Sequence, residues 1–258
     1  MKKIGVFDSG IGGLTVLHAL RKAAPELDVV FLGDIGRSPY GTKDTATVLG
    51  YSRDNAAFLL REGAEAIAIA CNTATAASLT ELRQELDVPV WGVIEPAAKA
   101  AVKASTGGRI AVMATEGTIR GGSYERQLRA LLPEGEFYFL PCQNLVALIE
   151  GGVDETEEAA VEQCRAYLAP LEGKGVDTLI LGCTHFPMYR NTIQKLLPGV
   201  TLIDTGEALT AELKGTLRES EGSGVTDYCA TKYSDAFDMA VHKLDGNAAP
   251  GCVRVVEV

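Results

Sequence analysis

A chain of 258 residues, of which 47% are hydrophobic, 22% charged and only 6% aromatic, is long enough for one large α/β unit or two compact halves, since domains run roughly 100–200 residues. A net charge of −10 without any basic block excludes the clustered Lys and Arg that nucleic acid or an anionic membrane surface requires, leaving a small molecule as the expected partner. No run approaches the ~20 apolar residues of a membrane span, and Lys2-Lys3 leads directly into a strand-like stretch instead of a signal-peptide core, so the sequence reads as cytoplasmic.

In chain order, short β-branched or apolar runs predict strands at residues 3–7, 29–32, 66–70, 88–93, 110–114, 137–140, 178–181 and 200–203. Helical spacing of apolar residues predicts helices at 45–61, 79–86, 155–171 and 193–197, each ended by Gly, Pro or Asp. A helix-like 208–218, a Gly/Ser break at 222–224 and strand-like 226–230 and 252–256 complete the chain. This alternation is the pattern of parallel sheets with helices on their faces.

The chain also repeats itself. Residues 4–9 align with 110–115, residues 31–34 with 139–142, residues 66–73 with 178–185 and residues 90–95 with 201–206; the offset is 106 at Ile4 and 112 at Cys71, a drift that a surface loop absorbs. The expectation is an α/β protein of two similar halves related by pseudo-twofold symmetry, with mainly parallel sheets and the active site in the cleft between them. The first half would hold residues 1–95 with the returning tail 207–258, and the second 96–206. In each half the repeat sets a cysteine, Cys71 or Cys183, just beyond a buried strand, where open α/β sheets place their ligands.

An isolated cysteine at a strand end is ordinarily a small buried hydrophobe. Here each is followed at once by hydroxyl or amide residues, Asn72-Thr73-Ala74-Thr75 and Thr184-His185, which suit a substrate carboxylate and have no packing purpose. Six widely spaced cysteines without a CxxC pair point neither to a disulfide scaffold nor to a thiol–disulfide redox motif, and no metal site is expected. Asp8-Ser9-Gly10-Ile11-Gly12-Gly13 misses the dinucleotide fingerprint, because Thr15 stands where its last glycine belongs. What survives is a glycine-rich turn with N–H groups free for a carboxylate, and in Asp8 an acid for an ammonium or a neighbouring thiol. His185, two residues after Cys183, suits tuning of that thiol. Thr115 and Thr118 follow the strand that repeats the one before Ser9, and supply either hydroxyls to a site or ordinary helix caps. Pro39-Tyr40-Gly41 reads on its own as a plain turn.

Four blocks, Phe7 to Val16, Pro39-Tyr40-Gly41, Ala70 to Ala74 and Leu181 to Pro187, together resemble the glutamate racemases of the aspartate/glutamate racemase superfamily over nearly the whole chain. Cys183-Thr184-His185 and Ala114 to Thr118 are similar to the glutamate type; the aspartate type usually carries Glu after its second Cys-Thr. The resemblance implies interconversion of L- and D-glutamate for the bacterial cell wall without metal, flavin or pyridoxal phosphate. It implies Cys71 and Cys183 as catalytic groups, Asp8, Ser9, Tyr40, Gly41, Asn72, Thr73, Thr184 and His185 around the substrate, and a homodimer. The loop Gly33 to Ser38 departs from the commonest family wording. The alternatives are a racemase or isomerase for aspartate or a related acid on the same fold, and a two-lobed small-acid binding protein with inert cysteines.

Overall fold

Among the described residues every pairing between strands is parallel, so each connection must cross back over a sheet, and helices fill the crossovers. The computed structural model describes residues 1–218, 221–244 and 251–258. Among these, β1 (Lys3–Asp8), β2 (Asp28–Gly33), β3 (Ile67–Ile69) and β4 (Val90–Gly92) lie in the order β2-β1-β3-β4. A second sheet of β5 (Arg109–Ala114), β6 (Glu136–Pro141), β7 (Thr178–Gly182) and β8 (Thr201–Asp204) repeats that order as β6-β5-β7-β8. The tail adds β9 (Thr226–Ala230) to the free edge of β2 and β10 (Arg254–Val255) beyond it, widening the first sheet to six strands.

The central strands are sealed on both faces. β3 and β7 are buried at every residue, which is why their sequences are continuous apolar runs without alternation. Each sheet carries an apolar cluster on either side, such as Leu17, Leu20 and Phe31 on one face of the first sheet and Phe7, Leu59 and Ile69 on the other.

Element bounds differ from the sequence reading mainly at helix starts. The helix expected at 79–86 runs Asn72–Glu85, because the Cys71 sulfur caps it by accepting the Ala74 N–H at 3.5 Å. The expected 208–218 helix is two pieces, Thr205–Glu212 and Lys214–Arg218, the first beginning where Asp204 accepts the N–H groups of Gly206 and Glu207. The helix expected at 155–171 shortens to Glu158–Leu168, since Glu155 is engaged with Asn191 and Thr192. The final strand shrinks from 252–256 to Arg254–Val255.

In both sheets the order in which successive strands are added reverses between two neighbours, β1 and β3 in one, β5 and β7 in the other. Loops leaving such a pair at their C-terminal ends part and leave a crevice. Register puts Phe7 level with Ile69 and Ala114 level with Gly182, so Asp8-Ser9 and Cys71 emerge side by side from the first sheet, as Thr115 and Cys183 do from the second.

The tail is tied down beside β2. Asp28 Oδ1 accepts the N–H of Ser223 at 2.8 Å and of Val225 at 3.0 Å, and Arg21 donates to Thr226 Oγ1. A Cβ on Gly222 would meet Glu26 O at 2.5 Å, Asp28 N at 2.6 Å and Lys2 O at 2.8 Å, all backbone that cannot turn aside. Gly222→Ala should therefore lower stability by about 1–3 kcal/mol, about 2–10 °C of melting temperature. Gly215, with open space around it, is the control: Gly215→Ala in its helix should leave the melting temperature level or raise it. Equal melting temperatures for Gly222→Ala and the unaltered chain would mean that the tail is not held as described.

Candidate active site

The crevices of the two sheets face each other and enclose one cavity. Ser9, Tyr40, Gly41, Cys71, Asn72 and Thr73 line it from the first sheet's loops, and Thr115, Cys183, Thr184 and His185 from the second's. Ten of the twelve residues singled out in the sequence are thus brought together. The other two stand directly behind: Asp8 accepts a hydrogen bond from Thr184 Oγ1 at 3.2 Å, and Thr118 Oγ1 lies 3.1 Å from Thr73 Oγ1 and 2.9 Å from Thr115 Oγ1.

The cavity is closed by contacts between the halves. Tyr124 Oη donates to Asn72 Oδ1 at 2.7 Å, Thr15 Oγ1 donates to Thr184 O at 3.1 Å, and at the rim Gly117 N–H donates to Gly41 O at 2.8 Å. Water-sized molecules reach only about 20 Å³ of the interior. Glycines permit this approach: a Cβ on Gly12 would collide with Thr184 Oγ1 and lie 2.7 Å from His185 Nδ1.

The turn Pro39-Tyr40-Gly41 proves to be part of the cavity wall, held by a buried network. Asp34, wholly buried, accepts from Tyr40 Oη, from Arg37 Nε at 2.6 Å and from Thr231 Oγ1 at 2.7 Å. Asn55 accepts from Arg37 at 2.7 Å and donates to Tyr40 Oη at 3.0 Å, while Arg37 also stacks over the Tyr51 ring. Since Thr231 comes directly after β9, the tail of the chain props the same loop.

Each cysteine has its own proton-handling neighbours. Cys71 is buried; its thiol donates to Ser9 Oγ at 3.7 Å and accepts the Ala74 N–H. Burial pushes this thiol up to about 12, and the nearby Asp8 charge adds to that, against the Ala74 and Ser9 hydrogen bonds. The helix N-terminus that would favour a thiolate is outweighed. Cys183 Sγ lies 3.7 Å from His185 Nδ1. Burial works against charge on His185, but the hydrogen bond to Cys183 and the carboxylates of Glu150 and Asp8 prevail and push it up to about 10. Burial raises Asp8 to about 6, with the His185 charge and the N–H groups of Gly10 and Gly13 holding it from rising further.

Sequence reasoning missed Gln143, Val146 and Glu150, which line the cavity from one face of the helix Gln143–Glu150. A signal existed: the repeat aligns residues 139–142 with 31–34, so the segment after Cys142 corresponds to the loop that carries Tyr40 and Gly41. Glu150 Oε1 lies 3.2 Å from His185 Nε2, out of hydrogen-bond alignment, so it acts through its charge. Among the described residues no group of three His, Cys, Asp or Glu is arranged to hold a metal ion, and no helix is long and apolar enough to cross a membrane.

The Glu150 contact has a measurable consequence. A carboxylate beside an imidazole favours the cation, so Glu150→Gln should lower the pH at which His185 loses its proton, by about one unit. Nitrogen-15 NMR should show imidazolium at pH 8 in the unaltered chain and the downward displacement in the variant. An unmoved titration would mean that Glu150 is a bystander.

Comparison with known proteins supplies the affiliation. Residues 14–213 match the model of the Asp/Glu/Hydantoin racemase family. A glutamate racemase of Aquifex aeolicus is 43% identical over 246 residues, covering 95% of this chain and 94% of the relative. A solved glutamate racemase isoform from Bacillus anthracis superposes with a TM-score of 0.92 at 32% identity, covering 100% of this chain and 98% of that one. The glutamate racemase of Francisella tularensis, solved in complex with D-glutamate, does so with a TM-score of 0.90 at 31% identity, covering 99% and 97%. Two α/β halves in matching strand order, a cysteine from each opening into one cleft, and similarity along nearly the whole length lead to one conclusion: the chain belongs to the Asp/Glu/Hydantoin racemase family.

Proposed function

We propose that this protein is a glutamate racemase that interconverts L- and D-glutamate with Cys71 and Cys183 as the two proton-transfer groups, one on each face of the substrate Cα. The observation that carries the reading is a pair of buried cysteines, delivered from equivalent strand ends of two halves into a single closed cavity. Racemisation removes a proton from one face and returns another to the opposite face, and two opposed groups of the same kind serve both directions. The glutamate racemases that resemble this chain, one of them solved with D-glutamate, support the choice of substrate.

The neighbours suggest how the protons are shared before substrate arrives. Cys71, pushed up to about 12, holds its proton at neutral pH, while an imidazolium at His185 offers the Cys183 sulfur a cationic partner. Each thiol thus has its own partner for the proton it handles, Ser9 at Cys71 and His185 at Cys183, and turnover of one enantiomer exchanges the acid and base roles of the two. By resemblance Cys183 faces the Cα proton of L-glutamate and Cys71 that of D-glutamate.

Negative charge that builds on the α-carboxylate as the Cα proton leaves must be met by groups already in place. Ser9, Asn72 and Thr184 supply neutral donors, and Asn72 Nδ2 is buried with no other partner. Asp8, behind Thr184, is the acid placed to attract the substrate ammonium. Among the described residues no lysine or arginine lines the cavity, so an acidic protein captures an anion through short-range donors, without long-range attraction. The space reached by water between these groups is about one water molecule's worth, so substrate binding must widen it. The reading extends to action in the cytoplasm, supply of D-glutamate to peptidoglycan, and a homodimer, which light scattering would detect as twice the chain mass.

Glutamate of either hand should racemise at least about a hundredfold faster than aspartate, since a site built for one chain length rejects the shorter acid; similar rates would move the assignment to the aspartate type. In deuterated water, early product from either enantiomer should carry deuterium at Cα while recovered substrate carries almost none. Cys71→Ala and Cys183→Ala should each abolish racemisation, because one face then lacks its group. Any residual wash-in without inversion should occur only with D-glutamate in Cys183→Ala and only with L-glutamate in Cys71→Ala. A substantial racemisation rate in either variant would reduce that cysteine to packing and end the two-base reading; turnover by neither variant nor the unaltered chain would favour a binding protein.

A further inference from the structure

The cavity has two ends. At one, Cys183 Sγ, His185 and Glu150 stand together, and Cys71 with Ser9 opens beside them. The helix Gln143–Glu150 runs along the cavity from there, turning Gln143, Val146 and Glu150 inward at helical spacing. Seven residues of helix advance about 10 Å, so Gln143 stands well away from the Glu150 end. It sits beside Gly41 and Thr115, close enough that a Cβ on Gly41 would collide with Gln143 Oε1.

That oxygen is buried and has no hydrogen-bond partner. A buried carbonyl oxygen without a partner is costly, and a half-turn of this half-buried side chain exchanges the oxygen for two N–H donors in the same place. The other hydroxyl at this end, on Thr115, is already engaged with Thr73 and Thr118. An anionic group arriving here meets no lysine or arginine among the described lining residues, and beside Gly41 and Thr115 the Gln143 carboxamide has a hydrogen bond still to give.

We propose that Gln143 binds the distal carboxylate of the substrate and is a specificity-determining residue that favours a five-carbon over a four-carbon acidic amino acid. This rests on the glutamate racemase reading, which fixes the reacting carbon at the cysteine end and sends the side-chain carboxylate toward Gly41 and Thr115. A carboxylate one methylene nearer Cα stops short of the carboxamide. Gln143 does not touch the reacting atoms, so its loss weakens substrate binding and leaves proton transfer nearly intact.

The test compares the unaltered enzyme with Gln143→Met, which keeps length and loses the donors, and Gln143→Glu, which sets a second carboxylate against the first. Gln143→Met should raise KM for D- and L-glutamate about tenfold or more, with kcat within about threefold. Inhibition by norvaline, a five-carbon amino acid without the distal carboxylate, should be unchanged, whereas a merely structural role would weaken both ligands. Gln143→Glu should raise KM further at pH 8 and recover part of that loss as the pH falls toward 5. Racemisation of glutamate by the unaltered enzyme tests the functional reading by itself. With that activity present, an unmoved KM in Gln143→Met, or equal losses for glutamate and norvaline, overturns the role of Gln143 alone; without it, both fall.

Discussion

Asp8 and Thr184 come from opposite halves of the chain and meet in a hydrogen bond between wholly or nearly wholly buried groups. A carboxylate withdrawn from water this far is stable only where partners surround it, and Asp8 has the Gly10 and Gly13 N–H groups, the Thr184 hydroxyl and the His185 charge. Those partners belong to both halves, so the acid is fully satisfied only when the halves are together. Much else depends on that meeting. Gly12 and Gly13 must lack side chains so that Thr184, His185 and Asp8 can approach, and the two cysteines are left across a space with little room for water. Opening the cleft exposes Asp8 to solvent and separates its partners, which couples admission of substrate to the electrostatics of the site.

The sheets repeat each other in strand order, yet the surroundings of the two sulfurs do not. Cys71 caps a long helix and lies near an acid; Cys183 leads into a short turn, Phe186–Tyr189, and lies near a histidine. Sulfurs with identical neighbours would be interchangeable; these are not, since one stands beside a hydroxyl and the other beside an imidazole. Asymmetry cannot favour either product, however. Free L- and D-glutamate have equal free energies, so on the proposed reaction kcat/KM must be equal in the two directions. Differences between the thiols can appear only as compensating differences in kcat and KM.

The central architecture was legible because the physics that builds it is local. Buried parallel strands require continuous apolar runs, and the runs at 66–70 and 178–181 could be seen with their cysteines and polar followers attached. The repeat then implied two opposed strand ends without any coordinates. Tyr40 was legible only through resemblance: its Oη reaches Asp34 and Asn55 and its loop leans on Thr231, contacts separated by up to 197 positions in sequence that no local pattern records. The helix Gln143–Glu150 was passed over for a similar reason. It is short, its capping residue Cys142 forms no side-chain cap, and its cavity-facing residues look like any amphipathic stretch until the fold sets them against Gly41 and His185.

Those long-range contacts also explain why the chain returns to its first sheet after completing the second. β9 pairs with β2 and ends at Ala230, level with Gly33, which delivers Thr231 to Asp34 and to the Gly36 N–H. The loop that closes over the cavity is therefore braced from below by the tail and from the side by Asn55, and its Gly41 carbonyl is free to accept the Gly117 N–H across the cleft. The loop that bears one wall of the cavity combines a rigid base with a weaker outer contact. The buried Asp34 network supplies the first. The backbone hydrogen bond at Gly41, with the exposed Arg120 to Lys43 contact beside it, supplies the second, so the rim contacts between the halves are separate from the groups that hold Tyr40 in place.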